Sequence, residues 1–223
     1  MASLLATTTA DGIATITLDD GKANALSQPM AEAIGAALDQ AEAARAIVLR
    51  GRPGVLCGGF DLKVIRGGTP ADRTAMTRAG YHLLARLYLL PQPLVIACTG
   101  HAVAAGALML LTGDVRIGLR GDFRIGLNET AIGLALPQIG IELARERLTP
   151  AALPQATIAA RLYTPDDALA AGYLDQVADP AALDAAIAAA LDPLLRLDAS
   201  AYAATKRRLR QAAIDRAAAD LTP

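Results

Sequence analysis

Apolar positions along the chain fall into two periods, and each period marks its own kind of element. Residues 12–19, Gly-Ile-Ala-Thr-Ile-Thr-Leu-Asp, are rich in β-branched side chains and run into Asp19-Asp20-Gly21, the pattern of a strand closed by a turn. Met30, Ile34 and Leu38 then recur every fourth position across 28–41, which predicts an amphipathic helix, with Ser27 placed to cap it and Pro29 inside its first turn. Residues 45–51 form a short apolar run with the look of a buried strand, and 69–90 read as a long helix stopped by Pro91 and Pro93. Residues 94–98 and 114–118 are again short apolar strands, flanking a helix that begins near Val103. From Pro137 the pattern is nearly all helical, broken at Pro150, Gly172 and Pro180. Thr164-Pro165-Asp166-Asp167 is a helix start, with Thr as cap, Pro at the first position and acids in the first turn. Ala-rich helices cover 181–196 and 199–219. Strands alternating with helices predict an α/β core followed by a helical last third.

Composition narrows this without changing it. The 223 residues suffice for one domain with a sizeable core, and the apolar mass is Ala, Leu, Ile and Val, with no Trp and two Phe. Twenty-one Lys and Arg balance 22 Asp and Glu, so there is no basic footprint for nucleic acid. Cys57 and Cys98 end apolar runs and read as buried free thiols, in keeping with a reducing compartment. The start Met1-Ala2-Ser3-Leu4-Leu5 lacks the charge and apolar length of a signal peptide, and no uncharged apolar run reaches the ~18 residues of a membrane span. A soluble cytoplasmic protein with no membrane partner is the expectation. There is no phosphate-binding GxxxxGK loop, no strand-linked GxGxxG, no GxSxG and no metal-ligand cluster.

Three short segments carry candidate chemistry. In Leu56-Cys57-Gly58-Gly59-Phe60-Asp61 the paired glycines after a strand permit close approach of a ligand to backbone, although a plain glycine turn into a helix reads the same way. Ala104-Ala105-Gly106-Ala107 places small side chains at a helix start, where free N–H groups and the helix dipole favour negative charge; tight packing is the alternative. Glu129, in Ile125-Gly126-Leu127-Asn128-Glu129-Thr130, is a lone acid amid apolar neighbours, a type of residue ordinarily exposed or paired. His101 suits packing or hydrogen bonding, His82 a solvent-facing helix position, and Asp61 a helix cap. Glu142 and Glu146, four apart, read as a solvated helix face, as do Lys206, Arg207, Arg208 and Arg210, which could alternatively reach a phosphate.

Together these segments resemble the enoyl-CoA hydratase/isomerase (crotonase) family, from Lys22-Ala23-Asn24-Ala25-Leu26 through 56–62 and 98–137 to the terminal helices. The run Ile-Gly-Leu-Asn-Glu-Thr, with Ile132-Gly133 and Pro137 beyond it, is similar to the Δ3,Δ2-enoyl-CoA isomerase branch. The resemblance implies an α/β crotonase (ClpP-like) spiral of ββα units over 1–163, and a C-terminal helical oligomerisation region over 164–223 that forms a homotrimer or a dimer of trimers. It also implies an acyl-CoA thioester substrate, with coenzyme A entering as part of the substrate and no separate cofactor or metal. The backbone N–H groups of Phe60 and Ala105 would form the oxyanion hole. Glu129 would be the catalytic acid–base, and Ala25, Leu26, Cys57, Gly58, Gly59, Gly106 and Leu108 would line the substrate site. Family members that hydrate a double bond carry a second glutamate at the position of Leu108. Its absence implies an isomerase with one proton shuttle. A hydratase, another acyl-CoA lyase or hydrolase, and a catalytically silent acyl-CoA-binding or oligomerising scaffold remain alternatives.

Overall fold

The computed structural model describes residues 3–222. Along the chain the elements are β1 (Leu5–Ala10), β2 (Ile13–Leu18), α1 (Gln28–Gln40), β3 (Ala46–Gly51), β4 (Gly54–Cys57), α2 (Leu62–Gly67), α3 (Pro70–Tyr88), β5 (Leu94–Cys98), β6 (Gly100–Val103), α4 (Ala105–Leu111), β7 (Val115–Leu119), β8 (Ile125–Gly126), α5 (Gln138–Arg147), α6 (Leu153–Thr157), α7 (Pro165–Ala171), β9 (Gln176–Ala178), α8 (Leu183–Leu195), α9 (Ala199–Arg216) and α10 (Ala218–Leu221).

The strands sort into two sheets. A six-stranded sheet runs in the order β1-β2-β3-β5-β7-β9 and a three-stranded one in the order β4-β6-β8. β1 and β2 are antiparallel, and every later pairing is parallel. The chain therefore repeats one step: β3 to β4, β5 to β6 and β7 to β8 each leave the large sheet and enter the small one. This is the ββα spiral, an α/β architecture.

Parallel strands are covered on both faces, and here the two faces divide the core. Ile47, Leu49, Leu94 and Ile96 point into the main core with α1, α3 and α4. Their alternates Ala46, Val48, Val95 and Ala97 point the other way, onto Leu183, Ile187 and Leu191 of α8. Burying each of these large α8 side chains stabilises by about 1.5–3 kcal/mol, enough to hold α8 across the sheet.

Helix starts follow local chemistry. Ser27 Oγ accepts from the Met30 amide (3.3 Å) and Thr164 Oγ1 from the Asp167 amide (3.3 Å). Thr69 and Asp72 cap each other's backbone amides, a reciprocal box that starts α3.

Three expectations need correction. The last third is not purely helical, because β9 adds a parallel strand to β7. Glu142 is not on a solvated face: it is buried and held by Arg145, Gln138 and Arg216, all at 2.7–2.8 Å. Lys206 and Arg210 are buried too, and bind Asp114 at 2.6 and 2.8 Å, with Arg210 also donating to the Tyr88 carbonyl. Both cations turn inward because α9 lies against the core, where a buried charge persists only if paired. Arg207 and Arg208 remain exposed.

Candidate active site

The three segments singled out in the sequence follow the three strands of the small sheet. β4 pairs with β6 through Gly54–Gly100, Val55–His101 and Cys57–Ala102, and β6 pairs with β8 through Ala102–Ile125 and Val103–Gly126. Parallel neighbours end on the same side, and the crevice beyond their carboxyl ends is where such sheets bind ligands. Gly58-Gly59-Phe60 follows β4, Ala104-Ala105 follows β6, and Leu127-Asn128-Glu129 follows β8. Backbone bonds tie these exits down: Gly58 N to Ala23 O (2.8 Å), Leu26 N to Gly59 O (2.8 Å) and Ala104 N to Gly126 O (2.9 Å).

Two glycines set the spacing. Gly59 has φ +101°, and a Cβ on it would stand 3.0 Å from the Ala104 Cβ and 3.7 Å from the Ala105 nitrogen. The loop bearing the Phe60 amide is thus stacked on the N-terminus of α4. A Cβ on Gly106 would collide with the Cys57 carbonyl oxygen, so α4 approaches β4 as closely as backbone allows. Neither the Phe60 amide nor the Ala105 amide is spent on the turn and cap bonds around it. Two free donors on adjacent loops, one at a helix N-terminus, suit a developing oxyanion.

Glu129 follows β8 by three residues, at the start of a 3-10 turn (Thr130–Ile132). It is 8% exposed, and its Oε2 has no hydrogen-bond partner in the protein. Burial raises its pKa above the ordinary carboxylate value, against a downward pull from its own and Asn128's backbone amides. The other buried glutamate, Glu142, is fully paired, so among the described residues Glu129 is the buried glutamate with no cation. A desolvated, unpaired carboxylate is suited to accept and return protons.

The remaining sequence candidates sit around these three groups. Leu26 is buried and bridges Phe60, and Ala25 is half-buried beside it. Cys57 is fully buried, and burial pushes its thiol up to about 11. Leu108 is fully buried on α4; a Cβ on Gly140 would lie 3.3 Å from its Cδ2 and 3.1 Å from Leu136. Its wall is therefore apolar and continuous with the start of α5. Asp61 caps α2 by accepting from the Lys63 amide (2.8 Å). His101 is exposed, with Nδ1 accepting from the Arg124 amide (3.0 Å), and His82 faces solvent.

Three tyrosines lie near the site that sequence reasoning did not single out. Tyr81 of α3 packs edge-on against Phe60 (5.8 Å), and its hydroxyl is pushed up to about 12 by burial, with the charges of Asp220 and Glu129 adding to the shift. Tyr163 and Tyr173 pack against each other with ring centroids 5.5 Å apart. No motif signals them, since each is a single aromatic in an otherwise ordinary segment.

Known proteins share this sequence pattern and fold. The sequence pattern of the family described as enoyl-CoA hydratase/isomerase matches residues 8–222. Enoyl-CoA delta isomerase 1, mitochondrial, of Homo sapiens is 30% identical over 211 residues, 92% of this chain and 70% of the human protein. A putative enoyl-CoA hydratase of Thermus thermophilus is 32% identical over 168 residues, 73% of this chain and 66% of that protein. The crystal structure of an enoyl-CoA hydratase/isomerase family protein from Pseudomonas syringae superposes with a TM-score of 0.94 at 41% identity, covering 98% of this chain and 95% of that one. The fold and the three strand exits define a protein of the crotonase class. The chain belongs to the enoyl-CoA hydratase/isomerase family.

Proposed function

We propose that the protein moves a double bond of an enoyl-CoA from C3 to C2. The observation that carries this reading is Glu129: a buried, unpaired carboxylate on a strand exit next to those that carry two free amides, with the fully buried Leu108 in place of a second acid. The Phe60 and Ala105 amides hold the thioester oxygen. Glu129 takes a proton from C2, the resulting dienolate spreads its charge onto that oxygen, and Glu129 returns the proton to C4. Each oxyanion donor of this kind contributes about 3–4 kcal/mol to the barrier reduction. Coenzyme A serves as the substrate's handle, and the chemistry needs no further cofactor. Adding water would require a second group to activate it, and Leu108 cannot.

Hydration stays as a second reading because of the Thermus relative named a hydratase. One panel separates the readings: turnover of 3-enoyl-CoA, 2-enoyl-CoA and saturated acyl-CoA by the wild type. Conversion of the 3-enoyl substrate with little hydration of the 2-enoyl one is the expected result. Brisk hydration overturns the isomerase assignment, and inertness toward all three points to a silent scaffold.

The same reading includes a homotrimer, or a pair of trimers. Supporting it is an apolar surface next to the site, where Ile132, Leu134, Ile158 and Leu162 are 37–72% exposed. Thr130 Oγ1 bonds the Thr157 carbonyl (3.2 Å), which holds the two halves of that surface together.

A further inference from the structure

Four buried side-chain atoms on the Glu129 segment and the tyrosine pair packed beside it have no side-chain or backbone partner within hydrogen-bonding distance: Asn128 Oδ1, Glu129 Oε2, Tyr163 OH and Tyr173 OH. Buried polar atoms are nearly always satisfied, and each one left alone costs about 1–3 kcal/mol. One orphan is an accident of side-chain rotation. Four in one neighbourhood, two phenols that donate and two oxygens that accept, form a complementary set.

The backbone places them together. Tyr163 exchanges both backbone hydrogen bonds with Ile125 of β8 (2.9 and 3.0 Å), four residues before Glu129. Its ring lies 5.5 Å from that of Tyr173, which is fully buried. Burial holds the Tyr173 hydroxyl protonated; the Leu127 amide beside it pulls the other way, and the charges of Tyr163 and Glu129 reinforce the burial. The hydroxyl therefore sits by the segment that carries Glu129, within reach of its charge.

We propose that Tyr173 donates its hydroxyl hydrogen toward Glu129 Oε2 through one internal water, with Tyr163 and Asn128 Oδ1 completing the network. An ordered internal water needs roughly two to four polar partners, and these residues supply them. Tyr173 is then a positioning residue. Through that water it occupies Oε2 as an acceptor and leaves Oε1 to carry the substrate proton. The inference rests on the isomerase reading of Glu129. The C2–H bond breaks as Oε1–H forms, then Oε1–H breaks as C4–H forms, and the phenolic proton stays on Tyr173 throughout. A donor to the ionised carboxylate also offsets part of what burial does to its pKa.

The test compares wild type, Tyr173→Phe and Tyr163→Phe by isomerase kinetics across pH, by thermal unfolding, and by infrared titration of the Glu129 carboxylate, read as the difference from Glu129→Gln. Tyr173→Phe is expected to lower kcat about tenfold with KM within about twofold, the scale of a lost proton-transfer alignment. It should also move the acid limb of the rate profile, and the infrared titration of Glu129, to higher pH. A hydroxyl that merely fills space gives the opposite pattern: the phenylalanine variant melts at the same or a higher temperature, with kcat and the Glu129 titration unchanged. That result overturns the proposal. If wild type fails to turn over 3-enoyl-CoA, the isomerase reading fails by itself, and the infrared titration still decides whether Tyr173 is linked to Glu129. If Tyr173→Phe does not fold, Tyr163→Phe decides: a smaller shift in the same direction supports the network, and none overturns it.

Discussion

At the scale of single residues, burial gives Glu129 two measurable properties. As the sole shuttle of the proposed isomerisation it should be indispensable: Glu129→Gln keeps the shape but cannot take the C2 proton. We expect a loss at or beyond the top of the roughly 10²–10⁴-fold range of general acid–base groups, with acyl-CoA affinity nearly unchanged. A variant retaining more than about a tenth of the rate would remove Glu129 from the mechanism. The second property is a cost in stability. Its folded-state pKa is raised, so ionising it opposes folding; the cost is present above the raised pKa and disappears as pH falls below the ordinary value of 4.5. Glu129→Gln should therefore melt higher than wild type in neutral buffer, with the gap closing as pH drops toward 4.5. A gap that widens on acidification contradicts the sign. Leu108 makes the complementary point: Leu108→Glu should gain measurable 2-enoyl-CoA hydration, but only a modest rate, because the new carboxylate lacks supporting hydrogen bonds. No gain at all in a folded variant would mean that Leu108 does not face the reacting carbons.

At the scale of elements, the start of α4 shows what local pattern can and cannot say. Small residues from 103 onward announced a helix opening near a ligand, and α4 begins at Ala105. They did not announce that Ala104 sits at φ +52°, ψ −124°, a conformation that suits glycine far better. Such strain costs about 1–3 kcal/mol, whereas a glycine loses only about 0.4–1 kcal/mol through its freer unfolded chain. Ala104→Gly is thus expected to stabilise by about 1 kcal/mol, raising Tm by about 2–4 °C. A lower midpoint in thermal or denaturant unfolding would mean that the strain is not real. Elements with strong local signals were legible: α1, α3 and α7 start at Ser27, Thr69 and Thr164 because a capping hydroxyl and a proline lie within three residues of each other, with an acid in the first turn of α3 and α7. β9 was not legible, because Gln176-Val177-Ala178 is too short to show a period and is a strand only because β7 offers it an edge.

At the scale of the whole molecule, Ile132, Leu134, Ile158 and Leu162 are among the large apolar side chains that one chain leaves exposed. Exposed apolar clusters of this kind mark interfaces. Sedimentation in dilute buffer is expected to give three or six times the 22.9 kDa of one chain. Ile158→Asp, at the most exposed of the four positions, should shift the distribution toward monomer. A stable monomer in the wild type contradicts the trimer.

The sequence by itself determined the alternation of strand and helix, most helix starts, and the three segments Gly58–Phe60, Ala104–Gly106 and Glu129 that the small sheet brings side by side. Each rests on residues close in the chain, whose backbone preferences and spacing act locally. Tertiary structure alone decided which charges go inside. Lys206 meets Asp114 across 92 positions in a buried pair, and the half-exposed Arg216 meets the buried Glu142 across 74, so charges that read as solvated are held inside by distant partners. It also decided that Tyr163, bonded through its backbone to Ile125, packs its ring on that of Tyr173. Burial and pairing depend on what the rest of the fold packs against a residue, and no window along the chain contains that information.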